Sequence, residues 1–160
     1  MKTVISFFIF INFLNSPSIT EIRKEYPNAA ISLDSATAFA SKFTNISSEN
    51  KVLLAYKGAS IIIVAKFSKK ASEKINAFKE GAKLIEQAVN ADPENIEIRL
   101  IRISIQENAP GIVKYKKNIL DDKNFILKYY KVQSTVLKEY IKSFVLQAKS
   151  FSDQEKQSLK

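Results

Sequence analysis

Four polar side chains interrupt a strongly apolar stretch in the second half of the chain. The segment 95–107 reads NIEIRLIRISIQE, and the polar positions of interest are Asn95, Arg99, Arg102 and Gln106. Spacings of four, three and four residues place them on one stripe of an α-helix. Because guanidinium groups bind carboxylates and phosphates through two parallel hydrogen bonds, we predict that the stripe lines a groove. Such a groove would hold a carboxylate, a phosphate or a peptide backbone.

A second arrangement of the same stripe stays open. Long polar side chains on one helix face also occur in contact with water, or in ion pairs inside the protein. Asp121 and Asp122 are candidate internal partners for Arg99 and Arg102. The pattern therefore allows either a binding surface or a structural cluster.

The composition leaves few side chains for catalysis. The 160 residues include no Cys and no His, which removes thiol chemistry, the commonest general base and the usual transition-metal ligands. The three glycines form no phosphate-binding loop. We predict no cofactor and no metal. The candidates for an enzyme are Asp121, Asp122 and Tyr56, and two adjacent aspartates on a helix point roughly 100° apart.

The helix that carries the stripe is expected to be central. Its apolar residues cover most of its circumference, which is typical of a helix packed on several sides; they are Ile96, Ile98, Leu100, Ile101, Ile103 and Ile105. A preceding helix is predicted by an apolar stripe that ends near Asn90. Asp92 has the side chain of an N-cap, and Pro93 suits the first helical position. The second helix should therefore begin at Pro93.

This helix and its exit turn resemble part of a tetratricopeptide repeat. The resemblance rests on small residues at Gly81, Ala82 and Ala88, on Ile85, and on the Asp-Pro-Glu-Asn turn at 92–95. It covers one helix and one turn, and it implies an antiparallel helix pair that serves protein interaction. The partner helix is expected further back in the chain and should contain Gly58.

The remaining patterns also predict helices. Apolar stripes indicate helices over about 36–43, 49–67, 118–130 and 137–148, and Ser152 has capping-box spacing to Glu155 for a short terminal helix. Residues 61–64 have strand propensity, so a strand is the alternative there. We predict a single all-α domain over 19–160, with six to seven helices in stacked antiparallel pairs, TPR-like or as an irregular bundle.

The N-terminus has the pattern of a signal peptide. Lys2 precedes an apolar run from Val4 to Leu14, and small residues follow at Ser16 and Ser18. A buried N-terminal strand or helix is the alternative. We predict cleavage after Ser18 and a periplasmic or secreted protein. The segments IEIRLIRISIQENAP and DDKNFIL are similar to small exported proteins of Bacteroidetes, a resemblance that implies an address and no activity.

The charge is the last feature that bears on partners. The chain carries +9, and residues 114–149 contain nine lysines against Asp121, Asp122 and Glu139. The lysines are scattered over several helices, so we predict a solvated basic face, weak attraction to anionic membranes or polysaccharide, and no nucleic-acid binding. We expect an exported interaction module whose groove binds a protein or peptide. The alternative is a small ligand-binding module or a carboxylate-dependent hydrolase.

Overall fold

The computed structural model describes residues 17–46 and 49–159, and α-helices account for most of both ranges. The helices are α1 (Ile19–Glu25), α2 (Leu33–Ser41), α3 (Lys51–Ala65), α4 (Ala71–Ala91), α5 (Ile96–Asn108), α6 (Ile119–Tyr129), α7 (Thr135–Gln147) and α8 (Asp153–Gln157). Short 3-10 turns lie at Tyr26–Asn28, Gly111–Val113 and Tyr130–Val132. Neither described range contains a β-strand, so the all-α prediction is confirmed.

The segment 61–64, for which a strand was the alternative, lies inside α3. Asn50 begins this helix, because its side-chain oxygen accepts a hydrogen bond from the Leu53 N–H at 3.0 Å. The apolar period then continues without a turn residue to Ala65. Helical periodicity over fifteen residues therefore outweighs the local β-propensity of three isoleucines and a valine.

Helices α3 and α4 form a tightly packed antiparallel pair. A Cβ atom on Gly58 would collide with the carbonyl oxygen of Gly81 and would lie 2.9 Å from Ile85 Cγ1. A Cβ atom on Gly81 would collide with the carbonyl oxygen of Gly58 and lie 2.6 Å from Ile62. Gly58 thus faces Ile85, and Ile62, one turn later in α3, faces Gly81, one turn earlier in α4. The two helices therefore run antiparallel. The expectation that the partner of α4 contains Gly58 is confirmed.

The connection from α4 to α5 differs from the prediction. Asp92 to Asn95 form a β-turn in which the Asn95 N–H donates to the Asp92 carbonyl at 3.2 Å, and Pro93 takes the second position that this turn favours. Asn95, not Asp92, is the N-cap, because its Oδ1 accepts from the N–H groups of Glu97 and Ile98. The predicted start at Pro93 is therefore wrong by three residues.

The core consists of two clusters that share α5. One cluster is built mainly from α1 to α4, and Ile98, Ile101 and Ile105 of α5 belong to it. The other is built mainly from α6 to α8, and Ile96, Leu100 and Ile103 belong to it. Burial of apolar surface on both sides holds α5 in the centre of the protein, as its sequence predicts.

Helix α1 is the element that the sequence pattern did not predict. It has seven residues, of which Ile22 is buried, so its periodic signal is too short to recognise. The predicted signal segment 1–18 and its alternative as a buried N-terminal element fall almost wholly outside the described residues. Within 17–46 and 49–159, no helix combines the length and apolarity needed to cross a bilayer.

Candidate functional site

The predicted polar stripe lies between α5 and its neighbours α4 and α6. Arg102 is only 5% exposed. Its Nε and Nη2 donate to the two carboxylate oxygens of Asp122, each at 2.7 Å, and its Nη1 donates to Glu86 at 3.0 Å. Asp122 is fully buried, and a bidentate pair of this kind is the strongest geometry open to two such groups.

Arg99 contacts the same aspartate from the next turn of α5. Its Nη1 donates to Asp122 at 3.0 Å, and its Nε donates to the carbonyl oxygen of Pro93 at 2.7 Å. The guanidinium carbon also lies 4.1 Å from the ring centroid of Phe125, a cation–π distance. Arg99 therefore joins the α4–α5 turn to α6.

Glu86 and Tyr115 complete this cluster. The Tyr115 hydroxyl donates to Glu86 at 2.6 Å. Burial raises the pKa of Tyr115, and its hydrogen bond to Glu86 raises it further. Burial by itself lowers the pKa of Arg102, but the hydrogen bonds and negative charges of Asp122 and Glu86 outweigh burial and raise that pKa. The charges of two guanidiniums and two carboxylates thus balance each other in this cluster, in which Arg102 and Asp122 are buried and Arg99 and Glu86 are partly buried.

The amide members of the stripe also make contacts within the protein. Asn95 caps α5 and donates to the Asp92 carboxylate at 2.9 Å. Gln106 is buried, and its Nε2 lies 3.4 Å from the side-chain oxygen of Asn118. Internal pairing with Asp122 is thus the arrangement that the structure contains, and an incoming anion would have to displace that carboxylate from both arginines.

The enzyme candidates do not converge on one place. Asp121 is exposed, whereas Asp122 is held by two arginines. Tyr56 belongs to a different cluster, built around Glu97. An acid–base pair requires two carboxylates in one pocket, and these three residues provide no such pair.

A second buried cluster, which the sequence analysis missed, lies on another face of α5. Glu97 is buried, and its carboxylate accepts from Arg23 Nε at 2.8 Å and from Arg23 Nη2 at 2.6 Å. The Tyr56 hydroxyl lies 2.9 Å from Glu97 and 3.0 Å from the Tyr140 hydroxyl. Tyr56 has one proton, which the carboxylate requires, so Tyr140 must donate to Tyr56. This network connects α1, α3, α5 and α7.

The tyrosines of this region are held in the neutral form. Burial raises the pKa of Tyr56 and of Tyr140 well above the ordinary value. Burial also raises the pKa of Tyr26 to about 12, and its hydroxyl lies 2.7 Å from that of Ser104. These hydroxyls are therefore hydrogen-bonding groups across the neutral pH range.

A half-open groove lies where the two core clusters meet, beside this second network. Its volume is about 690 Å³, within the range of about 300–1,000 Å³ that is typical of ligand clefts. Most of the lining is apolar, and side chains come from both halves of the protein, among them Tyr26, Phe78, Ser104, Ile112, Tyr140 and Phe144. We call this feature the interlobe groove. No single segment encodes it, so no local sequence pattern predicts it.

The charged residues of the interlobe groove are mainly basic. Lys66, Lys74 and Lys149 are exposed residues of the lining. The acidic residue there, Glu107, already accepts hydrogen bonds from the backbone N–H and the hydroxyl of Ser150. The groove thus combines apolar walls with positive charge, which favours an acidic, partly apolar occupant.

Comparison with known proteins adds no relative. No protein-family model, curated protein or solved structure matches this chain.

Proposed function

We propose that this protein is an exported helical interaction module that binds a peptide segment of a partner protein in the interlobe groove. The observation that carries the proposal is the apolar groove itself, which stays open although the helices around it are packed. Ile112 is 75% exposed at this groove. Burial of such an exposed hydrophobic side chain by a partner lowers the free energy of the complex.

The proposed partner segment has apolar anchor residues and acidic side chains. Phe78, Phe144 and Ile112 provide the apolar surface for the anchors. Lys66, Lys74 and Lys149 provide the charge that selects against basic segments. The partial resemblance of 81–95 to a tetratricopeptide helix and turn also supports an interaction role.

The buried clusters fit this proposal as supports for a preformed groove. Glu97 connects α1, α3 and, through Tyr56, α7. Tyr26 and Tyr140 also line the groove, and hydrogen bonds to Ser104 and Tyr56, respectively, hold their side chains in place. A surface whose helices are fixed in this way loses little entropy on binding.

Display of random peptides on phage tests this function. We expect selected peptides to combine apolar residues with Asp or Glu. Their affinity should fall about tenfold or more in the Ile112→Asp variant, since burial of an Ile contributes about 1.5–3 kcal/mol. Ile31→Asp is the matched control, because Ile31 is 73% exposed and does not line the groove. An equal loss of affinity in both variants, or no enrichment of peptides, would rule out the groove as a peptide-binding site.

A small amphipathic molecule is a second candidate occupant. Tyr26, Ser104 and Tyr140 are polar residues of the mainly apolar lining; the Tyr26 and Ser104 hydroxyls pair with each other, and that of Tyr140 pairs with Tyr56. A few polar residues among apolar walls are typical of small-molecule sites. Calorimetric titration with long-chain carboxylates tests this candidate, because it predicts saturable binding that Ile112→Asp weakens and Ile31→Asp does not.

Export is part of the same proposal. Lys2 and the apolar run from Val4 to Leu14 support it, and cleavage after Ser18 would leave all of α1 in the mature chain. N-terminal sequencing of protein from the native host should return a start between Asn15 and Glu21. A sequence that begins at Met1 or Lys2 would contradict export.

A further inference from the structure

The connection between α6 and α7, with the first turn of α7, exposes two apolar side chains. Val132 is 77% exposed and Val136 is 60% exposed. They lie within 128–139, a segment that comprises the end of α6, the 3-10 turn Tyr130–Val132 and the start of α7. We call this segment the α6–α7 tip. Single exposed valines are ordinary, but these two occur four residues apart within one connection.

The same tip is positively charged. It contains Lys128, Lys131 and Lys138 against Glu139, and the first two lysines are exposed. Among the ion pairs of the described residues, none involves these three lysines. Lys128 Nζ lies 4.9 Å from the ring centroid of Tyr129, a contact that leaves its charge unneutralised. The three positive charges can therefore attract an outside anion, and the lysines flank the two valines on both sides along the chain.

We propose that the α6–α7 tip docks on the surface of an anionic lipid bilayer. Val132 and Val136 enter the boundary between headgroups and acyl chains, and Lys128, Lys131 and Lys138 contact the anionic headgroups. Apolar insertion and electrostatic attraction add in such interfacial binding. The proposal is independent of the interlobe groove, whose lining includes none of these residues.

A lipid surface fits the tip better than nucleic acid does. A phosphate backbone would satisfy the lysines but would gain nothing from two exposed valines. The aromatic side chains of the tip that could stack on bases, Tyr129 and Tyr130, are each partly buried against the second core cluster. Of these two partners, only a bilayer uses both the charge and the apolar side chains.

Tryptophan fluorescence provides a direct test, because the chain contains no Trp. We expect the emission of a Val132→Trp variant to shift to shorter wavelength on vesicles rich in phosphatidylglycerol, and to be quenched by brominated acyl chains. Vesicles of phosphatidylcholine alone should cause little change. The control variant, Ile31→Trp, places the reporter at an equally exposed residue outside the tip and should not respond.

The lysines are tested by sedimentation with the same vesicles. The Lys128→Gln, Lys131→Gln, Lys138→Gln triple variant should partition roughly 100-fold more weakly, since each basic residue near an anionic surface contributes about a fivefold factor. Added salt should weaken wild-type binding. An equal response of the two tryptophan variants, equal binding to both kinds of vesicle, or unchanged partition of the triple variant would overturn the proposal.

Discussion

Arg102 of α5 holds both carboxylate oxygens of Asp122 at 2.7 Å, with the aspartate fully buried and the arginine almost so. This pair fixes α5 against α6, and Glu86 extends it to α4 at 3.0 Å. Two charges in the interior are tolerated only while each has its partner. The cluster therefore makes the relative position of three helices depend on a few hydrogen bonds.

Loss of the arginines should destabilise the protein strongly. We expect the Arg99→Gln, Arg102→Gln double variant to lose roughly 3–5 kcal/mol of unfolding free energy, because the Asp122 carboxylate stays buried without an opposite charge. Urea denaturation measures this loss. The partly exposed pair of Lys42 and Glu25, 3.0 Å apart, is the control, and Lys42→Gln should cost less than about 1 kcal/mol.

An unchanged unfolding free energy in the double variant would contradict the structural role of the stripe. It would mean that solvent reaches Asp122 readily. The stripe of Asn95, Arg99, Arg102 and Gln106 would then become a candidate for anion binding again.

The close approach of α3 and α4 makes a separate prediction. Gly58→Ala and Gly81→Ala should each lower stability, because the added methyl group meets a backbone carbonyl that cannot move aside. Overpacking costs roughly 1–3 kcal/mol and the higher helix propensity of Ala offsets about 1 kcal/mol of it, so we expect a net loss of up to about 2 kcal/mol. Thermal denaturation followed by circular dichroism measures the difference.

Gly111→Ala is the matched control for the two helical glycines. No atom lies within 4 Å of a Cβ placed on Gly111, so this variant should unfold at or slightly above the wild-type temperature. If all three alanine variants behave alike, the α3–α4 contact is looser than the structure indicates.

The buried tyrosines predict a loss of stability at high pH. The pKa of Tyr26 is about 12 in the folded protein and about 10 in an unfolded chain. Above pH 10 the unfolded state therefore releases a proton that the folded state retains, and stability falls as pH rises. Below pH 10 both states keep the proton, so Tyr26 causes no loss of unfolding free energy there. Each such tyrosine contributes a slope of about 1.4 kcal/mol per pH unit.

Tyr26→Phe isolates the contribution of one residue to that slope. Unfolding free energies of wild type and variant should be compared from pH 9 to pH 11, where lysine titration is common to both proteins. The variant loses the hydrogen bond to Ser104 at every pH, but its free energy should fall less steeply above pH 10. Parallel curves would show that Tyr26 is accessible to solvent.

Local patterns predicted the helices well. Among the polar contacts between helices, Asp122 was open as one alternative partner of Arg99 and Arg102, whereas the pair of Glu97 and Arg23 was out of reach. The Ser152 capping box before α8 is present as its spacing predicts, since all its atoms lie within four residues. Glu97 and Arg23 are 74 positions apart, and nothing in the residues around either one indicates the other. The interlobe groove is harder still, because it exists only where the two halves of the chain meet.

The turn between α4 and α5 shows why a boundary can be wrong although every residue is understood. Asp92 and Asn95 are both good N-caps, and Pro93 suits both the first turn of a helix and the second position of a β-turn. Local preference therefore does not choose between them. The structure selects Asn95, whose Oδ1 accepts from Glu97 at 3.1 Å and from Ile98 at 3.3 Å.

Alanine substitution at the two positions tests this choice. Asn95→Ala should lower the unfolding free energy by about 1 kcal/mol, because two N–H groups at the start of α5 lose their acceptor. Asp92→Ala removes only the hydrogen bond from Asn95 Nδ2 and should cost less. Chemical denaturation of both variants measures the two losses of unfolding free energy. A larger loss in Asp92→Ala would place the start of α5 at Pro93, and the turn would then have to be part of the helix.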